Sequence, residues 1–207
     1  MLSNLILDIG NVICDWNPDG LVASAFAEPA EQAEALSVTI GNPDWLELDR
    51  GTMTVEDAVA RAQARTSLNP AAIAQIYENL GASLVALPAT MIAMHRAKSL
   101  GVPIYILSNM SASAWAYLKQ NHDCWDACKG VVVSCDAGFI KPEPAIYKHL
   151  CDKFSVTPES CVFVDDMAEN IQAAREFGMQ GVQLVNKDEG GQAVDSLVEK
   201  ILAERDI

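Results

Sequence analysis

Basic residues are scarce. The chain of 207 residues carries 14 Lys and Arg against 28 Asp and Glu, for a formal net charge of −14. That balance excludes a broad nucleic-acid surface, because phosphate backbones are held by Lys and Arg. It would also repel a small anion at long range, so any anionic ligand needs local cations that reverse the field. Long apolar runs are missing too. None approaches the roughly 20 residues that cross a bilayer, so no membrane partner is expected. No internal repeat or low-complexity tract is present. Paired metal-binding cysteines are lacking: of Cys14, Cys124, Cys128, Cys135, Cys151 and Cys161, only Cys124 and Cys128 share one-face helical spacing, and no second pair follows. This argues against zinc. The chain enters a strand soon after Met1 without a basic stretch and an apolar leader. The expectation is therefore a cytoplasmic protein with free thiols. Histidine is rare as well, and His95, His122 and His149 lie away from every motif described below.

What is present is a change of pattern along the chain. Asn4 to Leu7 reads as a strand. From Pro18 to about Gly81 strand signals vanish, and apolar residues recur at helical spacing. Thr54 with Asp57 three residues later resembles a capping box, and Gly81 reads as a helix stop. After Pro88 helices and strands alternate. Strands are expected at Pro103–Leu107, Val131–Val133, Cys161–Val164 and Val182–Val185, with helices between them and a last one over Ala193–Ala203. The stretch from Asn186 to Gly191 reads as loose. Such alternation predicts an α/β fold, a doubly wound parallel sheet. The expected organisation is a core of residues 1–15 and 87–207 with a helical module, residues 16–86, inserted after the first strand.

Four of these strands end in polar signals. The first delivers Asp8, the second Ser108 and Asn109, and the fourth Asp165 and Asp166; Lys141 follows the third after a short excursion. A parallel sheet places all four along one edge, where such folds bind ligands. Clustered carboxylates are costly unless a cation joins them, and an all-oxygen set suits Mg²⁺. Together the set fits phosphate-ester hydrolysis. A carboxylate attacks phosphorus and forms an aspartyl-phosphate, Mg²⁺ neutralises charge, and a hydroxyl, an amide and an ammonium hold the other oxygens. In that reading Asp8 is the nucleophile. Ser108, Asn109 and Lys141 form the phosphate cradle, and Asp166, with Asp165, holds the metal.

The motifs stand as L-I-L-D-I-G-N-V-I, I-L-S-N, K-P-E-P-A-I-Y and V-F-V-D-D-M-A-E-N. In their order and spacing the chain resembles the haloacid dehalogenase superfamily over essentially its whole length. The first motif, with Trp16 close behind, most resembles a branch of bacterial sugar-1-phosphate phosphatases. The resemblance implies a Rossmann-like core and a cap formed by the helical insertion. It also implies Asp8 as nucleophile, the Gly10 carbonyl and Asp166 as metal ligands, and a small phosphorylated substrate.

One position departs from the pattern. Most phosphatases of that superfamily carry a second Asp two residues after the nucleophile, to protonate the leaving oxygen and later activate water. Here that position is Gly10. Acid–base help of this kind is worth about 10²–10⁴-fold. The expectation is a preference for leaving groups that depart without much protonation, such as a sugar anomeric oxygen, or else proton transfer by a residue of the cap or by water. Asp15 is the nearest acid in sequence. Arg50, before Gly51 in the insertion, reads either as a helix-end cation or as a substrate contact. Two competing functions remain: a 2-haloacid dehalogenase, whose halide needs neither acid nor metal, and a phosphate-binding protein that has lost turnover.

Overall fold

A computed structural model describes residues 1–205. The chain opens with β1 (Asn4–Leu7) and a two-residue strand β2 (Cys14–Asp15). It then runs through five helices: α1 (Pro18–Ala23), α2 (Pro29–Val38), α3 (Asp44–Arg50), α4 (Val55–Ala64) and α5 (Pro70–Ser83). The return strand β3 (Val85–Ala86) pairs antiparallel with β2. These two strands are too short to show an alternating pattern, and the sequence gives no sign of them. They form a narrow ribbon at the two points where the chain enters and leaves the helical insertion.

The rest alternates. It comprises α6 (Pro88–Ser99), β4 (Ile104–Ser108), α7 (Ala112–Asn121), β5 (Gly130–Val133), α8 (Ser134–Ala137) and α9 (Pro144–Phe154). Then come β6 (Cys161–Asp165), α10 (Ala168–Glu176), β7 (Gln180–Gln183) and α11 (Gly190–Arg205). The five-stranded sheet has the order β5-β4-β1-β6-β7, and every pair in it is parallel. Both faces are covered, as a parallel sheet requires. Leu5, Leu7, Ile104, Ile106, Val162 and Val164 pack on one side with residues of α6, α7 and α11. Ile6, Tyr105, Leu107 and Phe163 pack on the other with α9 and α10. No helix among the described residues is long and apolar enough to cross a membrane.

Three boundaries differ from the sequence expectation. α5 runs through Gly81 and ends at Ser83, so Gly81 is not a helix stop. β7 is displaced toward the N-terminus, to Gln180–Gln183, because pairing with Val162–Asp165 sets its register. Val185, expected within the strand, is 86% exposed. The supposedly loose stretch before residue 192 instead holds a 3₁₀ turn over Lys187–Glu189, and α11 begins at Gly190. Its two leading glycines have a steric cause: a Cβ at Gly190 would lie 2.5 Å from Thr90 Oγ1, and one at Gly191 2.8 Å from the Ala89 main chain. Their bare backbone lets α11 lie against α6.

Chain order places the site. From β1 the strands step outward to β4 and β5, then reappear on the opposite side of β1 as β6 and β7. The reversal falls at β1, so the crevice beyond its carboxyl end is where such a sheet binds ligands.

Candidate active site

Asp8 continues β1 by one hydrogen bond, from its N–H to the Val164 carbonyl at 3.0 Å. The chain then turns sharply, with Ile13 and Cys14 both donating to the Ile9 carbonyl. The turn places Asn11 in the left-handed region at φ 53°, which Asn tolerates better than most residues. Its side chain links two elements: Nδ2 donates to Asp166 Oδ2 at 2.9 Å, and Oδ1 accepts from the Trp16 N–H at 3.0 Å. Asn11 thus orients a carboxylate across the sheet edge, a role that nothing local in the sequence marks.

Asp165 ends β6 and is fully buried. Its Oδ1 accepts from the Met167 N–H at 2.8 Å and Asn170 Nδ2 at 3.0 Å, while Oδ2 accepts from Lys141 Nζ at 2.6 Å and Asn170 Nδ2 at 3.1 Å. Lys141 Nζ also stands 2.7 Å from Asp8 Oδ1. One ammonium therefore bridges two strand ends. Burial alone would lower the Lys141 pKa, but the charges of Asp165 and Asp8 outweigh it and push it up, so the side chain is held as a cation. Burial pushes Asp8 up, against the opposing pull of Lys141 and the Ser108 hydroxyl. Asp166 is half-buried and also raised, first by burial, with the Asn11 hydrogen bond working the other way.

Ligand oxygens of Asp8, Asp165 and Asp166 all lie within 4.8 Å of one another. Three carboxylates face one ammonium, leaving excess negative charge in a buried place. Asp8 Oδ1 is enclosed yet receives no hydrogen bond of good geometry. Surplus buried carboxylate oxygens in an oxygen-only cluster are what a hard divalent cation would satisfy, so the residues fit Mg²⁺. The three carboxylates are not equivalent. Asp165 has both oxygens engaged by donors, so its place is to fix Lys141 and the β6 turn. Asp8 and Asp166 keep lone pairs for a metal.

The sequence-derived residues are not all brought to the same use. Asn109 lines the cavity, but its amide is spent on Lys141, accepting from the main-chain N–H at 2.7 Å and donating to the carbonyl at 3.0 Å. It clamps the lysine backbone. Gly10 and Ser108 also line the cavity. Arg50 is not among the lining residues; its guanidinium forks onto Glu143, with bonds of 2.9 and 2.8 Å. A carboxylate in bidentate reach holds it better than a remote anion would. Asp15 is likewise drawn elsewhere, into an ion pair with Lys187.

The cavity above these groups has a volume of about 310 Å³. Residues 16–86 contribute Trp16, Trp45, Leu46, Asp49, Leu80 and Leu84 to its wall. Trp16 and Trp45 stack with centroids 6.3 Å apart, and Tyr77 braces Trp45 at 5.7 Å. Asp49 escapes sequence reasoning because it lies in a run of three acids, Glu47, Asp49 and the earlier Asp44, on a short helix. Nothing in that text tells which one turns inward; burial of 92% of its surface, from an exposure of 8%, does. The segment is docked at three successive points. Ser134 Oγ donates to the Asp49 carbonyl at 2.5 Å, Arg50 grips Glu143, and Gly51 rests on α8. Gly51 has φ 80°, and a Cβ there would come 2.5 Å from the Cys135 carbonyl oxygen.

A family model described as haloacid dehalogenase-like hydrolase matches residues 5–178. The chain is 25% identical over 181 residues to the sesquiterpene phosphatase astK of Aspergillus oryzae, covering 87% of this chain and 89% of that protein. It is 26% identical over 192 residues to the drimenol cyclase drtB of Aspergillus calidoustus, covering 91% of this chain but only 35% of that protein. Among solved structures, a variant of the HAD family enzyme bt-2542 from Bacteroides thetaiotaomicron, in complex with magnesium and inorganic phosphate, superposes with a TM-score of 0.72. That match is 18% identical and covers 88% of this chain and 94% of the other, a likeness of fold.

Proposed function

The chain belongs to the haloacid dehalogenase-like hydrolases, and from that premise we propose that it is a Mg²⁺-dependent phosphatase acting through an aspartyl-phosphate on Asp8. The observation that carries this reading is the single buried ammonium of Lys141, 2.7 Å from Asp8 and 2.6 Å from Asp165, beside a third carboxylate. An Asp8 oxygen attacks phosphorus while the bond to the ester oxygen breaks. Lys141 fixes the nucleophile and, with Ser108, offers donors to the phosphoryl oxygens. Asp8, Asp166 and the Gly10 carbonyl would hold Mg²⁺, which supplies charge neutralisation and an in-line template. Water then attacks the same phosphorus and frees Asp8.

The wall contributed by the insertion narrows the substrate. Of its six residues only Asp49 is charged; the others are two Trp, stacked on each other, and three Leu. A sugar would find few hydroxyl partners there, whereas a hydrocarbon body would bury apolar area at about 25 cal/mol per Å². We therefore favour a phosphomonoester with an apolar body over a sugar phosphate, in keeping with the sesquiterpene phosphatase relative. The three clustered carboxylates outnumber the single ammonium of Lys141, which speaks against a metal-free dehalogenase, since the surplus charge is hard to keep ionised without a further cation.

Phosphate release from aryl, prenyl and sugar phosphates, with Mg²⁺ and with a chelator, tests the proposal. Turnover should need Mg²⁺ and be greatest on apolar esters. Asp8→Asn should cost on the order of 10⁴–10⁶-fold, the scale of losing a covalent nucleophile. Chloride release from a 2-chloroacid that survives chelation would instead support the dehalogenase, and phosphate binding without release the non-catalytic protein.

A further inference from the structure

Gly10 leaves the proposed reaction without the acid that a neighbouring position would normally supply. Space is not the reason. A Cβ at Gly10 meets nothing nearer than Trp16 Cβ at 3.7 Å, and no unusual backbone angle reserves the position for glycine. Asp15, the sequence neighbour that might have served, is held by Lys187.

We propose that Asp49, carried on the inserted helix α3, is the proton donor to the leaving oxygen and the base for the attacking water. The proposal rests on the phosphatase reading above. Four observations bear on it. Asp49 lines the same cavity as Asp8, Ser108, Lys141 and Asp166. It is the one acid among the residues that the insertion sends to that wall. It does not belong to the carboxylate cluster that would hold a metal. No side chain among the described residues hydrogen-bonds to its carboxyl group, although only 8% of the residue is exposed.

Its protonation state suits the task. Burial pushes the Asp49 pKa up to about 7, opposed by the charge of Lys141 and the backbone N–H of Ser111, with the charge of Asp8 adding to the rise. Arg50, the next residue on the helix, directs its guanidinium away to Glu143. An acid that titrates near the working pH can give up a proton in one half-reaction and recover it in the next. The three-point dock at Asp49, Arg50 and Gly51 fixes the backbone that carries this carboxyl to the cavity wall, and proton transfer demands such fixed placement.

The steps balance. As the Asp8 oxygen bonds to phosphorus and the ester P–O bond breaks, the departing alkoxide takes the Asp49 proton and leaves as an alcohol. Water next bonds to phosphorus and gives a proton to Asp49, while the Asp8–phosphorus bond breaks and phosphate is released. Asp49 ends protonated, as it began.

Two substrates that differ in the basicity of the leaving oxygen separate this role from a structural one: 4-nitrophenyl phosphate, whose leaving oxygen needs no proton, and a long-chain primary alkyl phosphate, whose oxygen does. Asp49→Asn should lower kcat/KM on the alkyl ester by about 10²–10⁴-fold and on the aryl ester by less than about tenfold. A nitrophenol burst should appear on the aryl ester, because water activation is slowed. Equal losses on both esters, or none on either, would overturn the assignment. If the variant does not fold, the wild type still decides. With an acid in place, its kcat/KM should vary little across leaving groups of rising basicity, and a steep fall would overturn the assignment. Failure of the phosphatase reading looks different: wild-type protein with Mg²⁺ would release phosphate from neither ester.

Discussion

The edge of the sheet and the helical insertion face the same cavity and are built by opposite rules. At the edge, polar groups come from four separate strand ends and are wired to one another: Lys141 to Asp8 and Asp165, Asn11 to Asp166, Asn109 to the Lys141 backbone. Opposite, the insertion presents indole and leucine surface and a single carboxyl group that no other side chain satisfies. One side is a wired electrostatic network with surplus negative charge, the other an apolar wall with one carboxyl group. In the proposed reaction such a division would let the phosphoryl chemistry stay fixed while the insertion set the organic body and the proton transfer. The variants below test whether the two sides are as separable as this contrast implies.

Breaking the wired side should cost most. Lys141→Met removes the cation between buried Asp8 and Asp165 while keeping a similar length of chain. Removing one partner of a buried ion pair typically costs about 3–5 kcal/mol, because a charge is left uncompensated. Chemical denaturation at neutral pH without metal should show a loss of that size, together with loss of phosphatase turnover. A variant that remained as stable as the wild type would mean that the carboxylates simply take up protons, and that the network is loose rather than wired.

This contrast also explains what could be read in advance. Leu5-Ile6-Leu7 before Asp8 and Val162-Phe163-Val164 before Asp165 announce strands that stop at carboxylates, and a parallel sheet fixes where strand ends meet. Local text plus topology therefore reached Asp8, Ser108, Asn109, Lys141, Asp165 and Asp166. Asn11 and Asp49 escaped because their use depends on distant partners, Asp166 at 155 positions for Asn11 and Ser134 at 85 positions for the Asp49 carbonyl. Arg50 reads two ways for the same reason. A cation at the end of a helix reads identically whether it reaches a ligand or Glu143, 93 positions away.

Asp49 gives the insertion an effect on stability that runs against its proposed use. Its folded-state pKa of about 7 exceeds the ordinary 3.8, so the fold favours the neutral acid. The contribution is fully present below the unfolded value and is lost as pH rises through the folded one. A rise of that extent corresponds to about 4 kcal/mol. Asp49→Asn carries no titrating group there, so without metal it should be more stable than the wild type at pH 8 by about that amount. The gap should close toward pH 4. Melting temperatures across that range would show it. A gap independent of pH would mean that the carboxyl is solvated and not pressed into the wall.

Mg²⁺ should act on the sheet edge alone. A ligand bound only by the folded state at 100 times its dissociation constant stabilises by about 2.7 kcal/mol. Melting curves should rise with Mg²⁺ for the wild type and for Asp49→Asn alike. Asp166→Asn should flatten the response, since it removes one of the two carboxylates with lone pairs to spare. If Asp49→Asn also lost the response, the insertion would be taking part in metal binding, and the division between the two sides would fail.

The smallest effect belongs to the clasp between the sides. Arg50 and Glu143 are both partly exposed, with side-chain exposures of 22% and 39%, so the pair should contribute less than about 1 kcal/mol to stability. Its consequence should lie in placement, because Arg50 follows Asp49 directly and helps hold α3 on α8. Arg50→Ala and Glu143→Gln should each lower kcat/KM on an alkyl phosphate by a few-fold and leave kcat/KM on an aryl phosphate nearly unaffected. The double variant should then lose no more than either single one, as groups that act only through each other do. A direct substrate contact predicts another outcome: Arg50→Ala would raise KM for both esters while Glu143→Gln did not. Whichever pattern emerges decides whether the guanidinium holds the two halves of the cavity together or belongs to its wall.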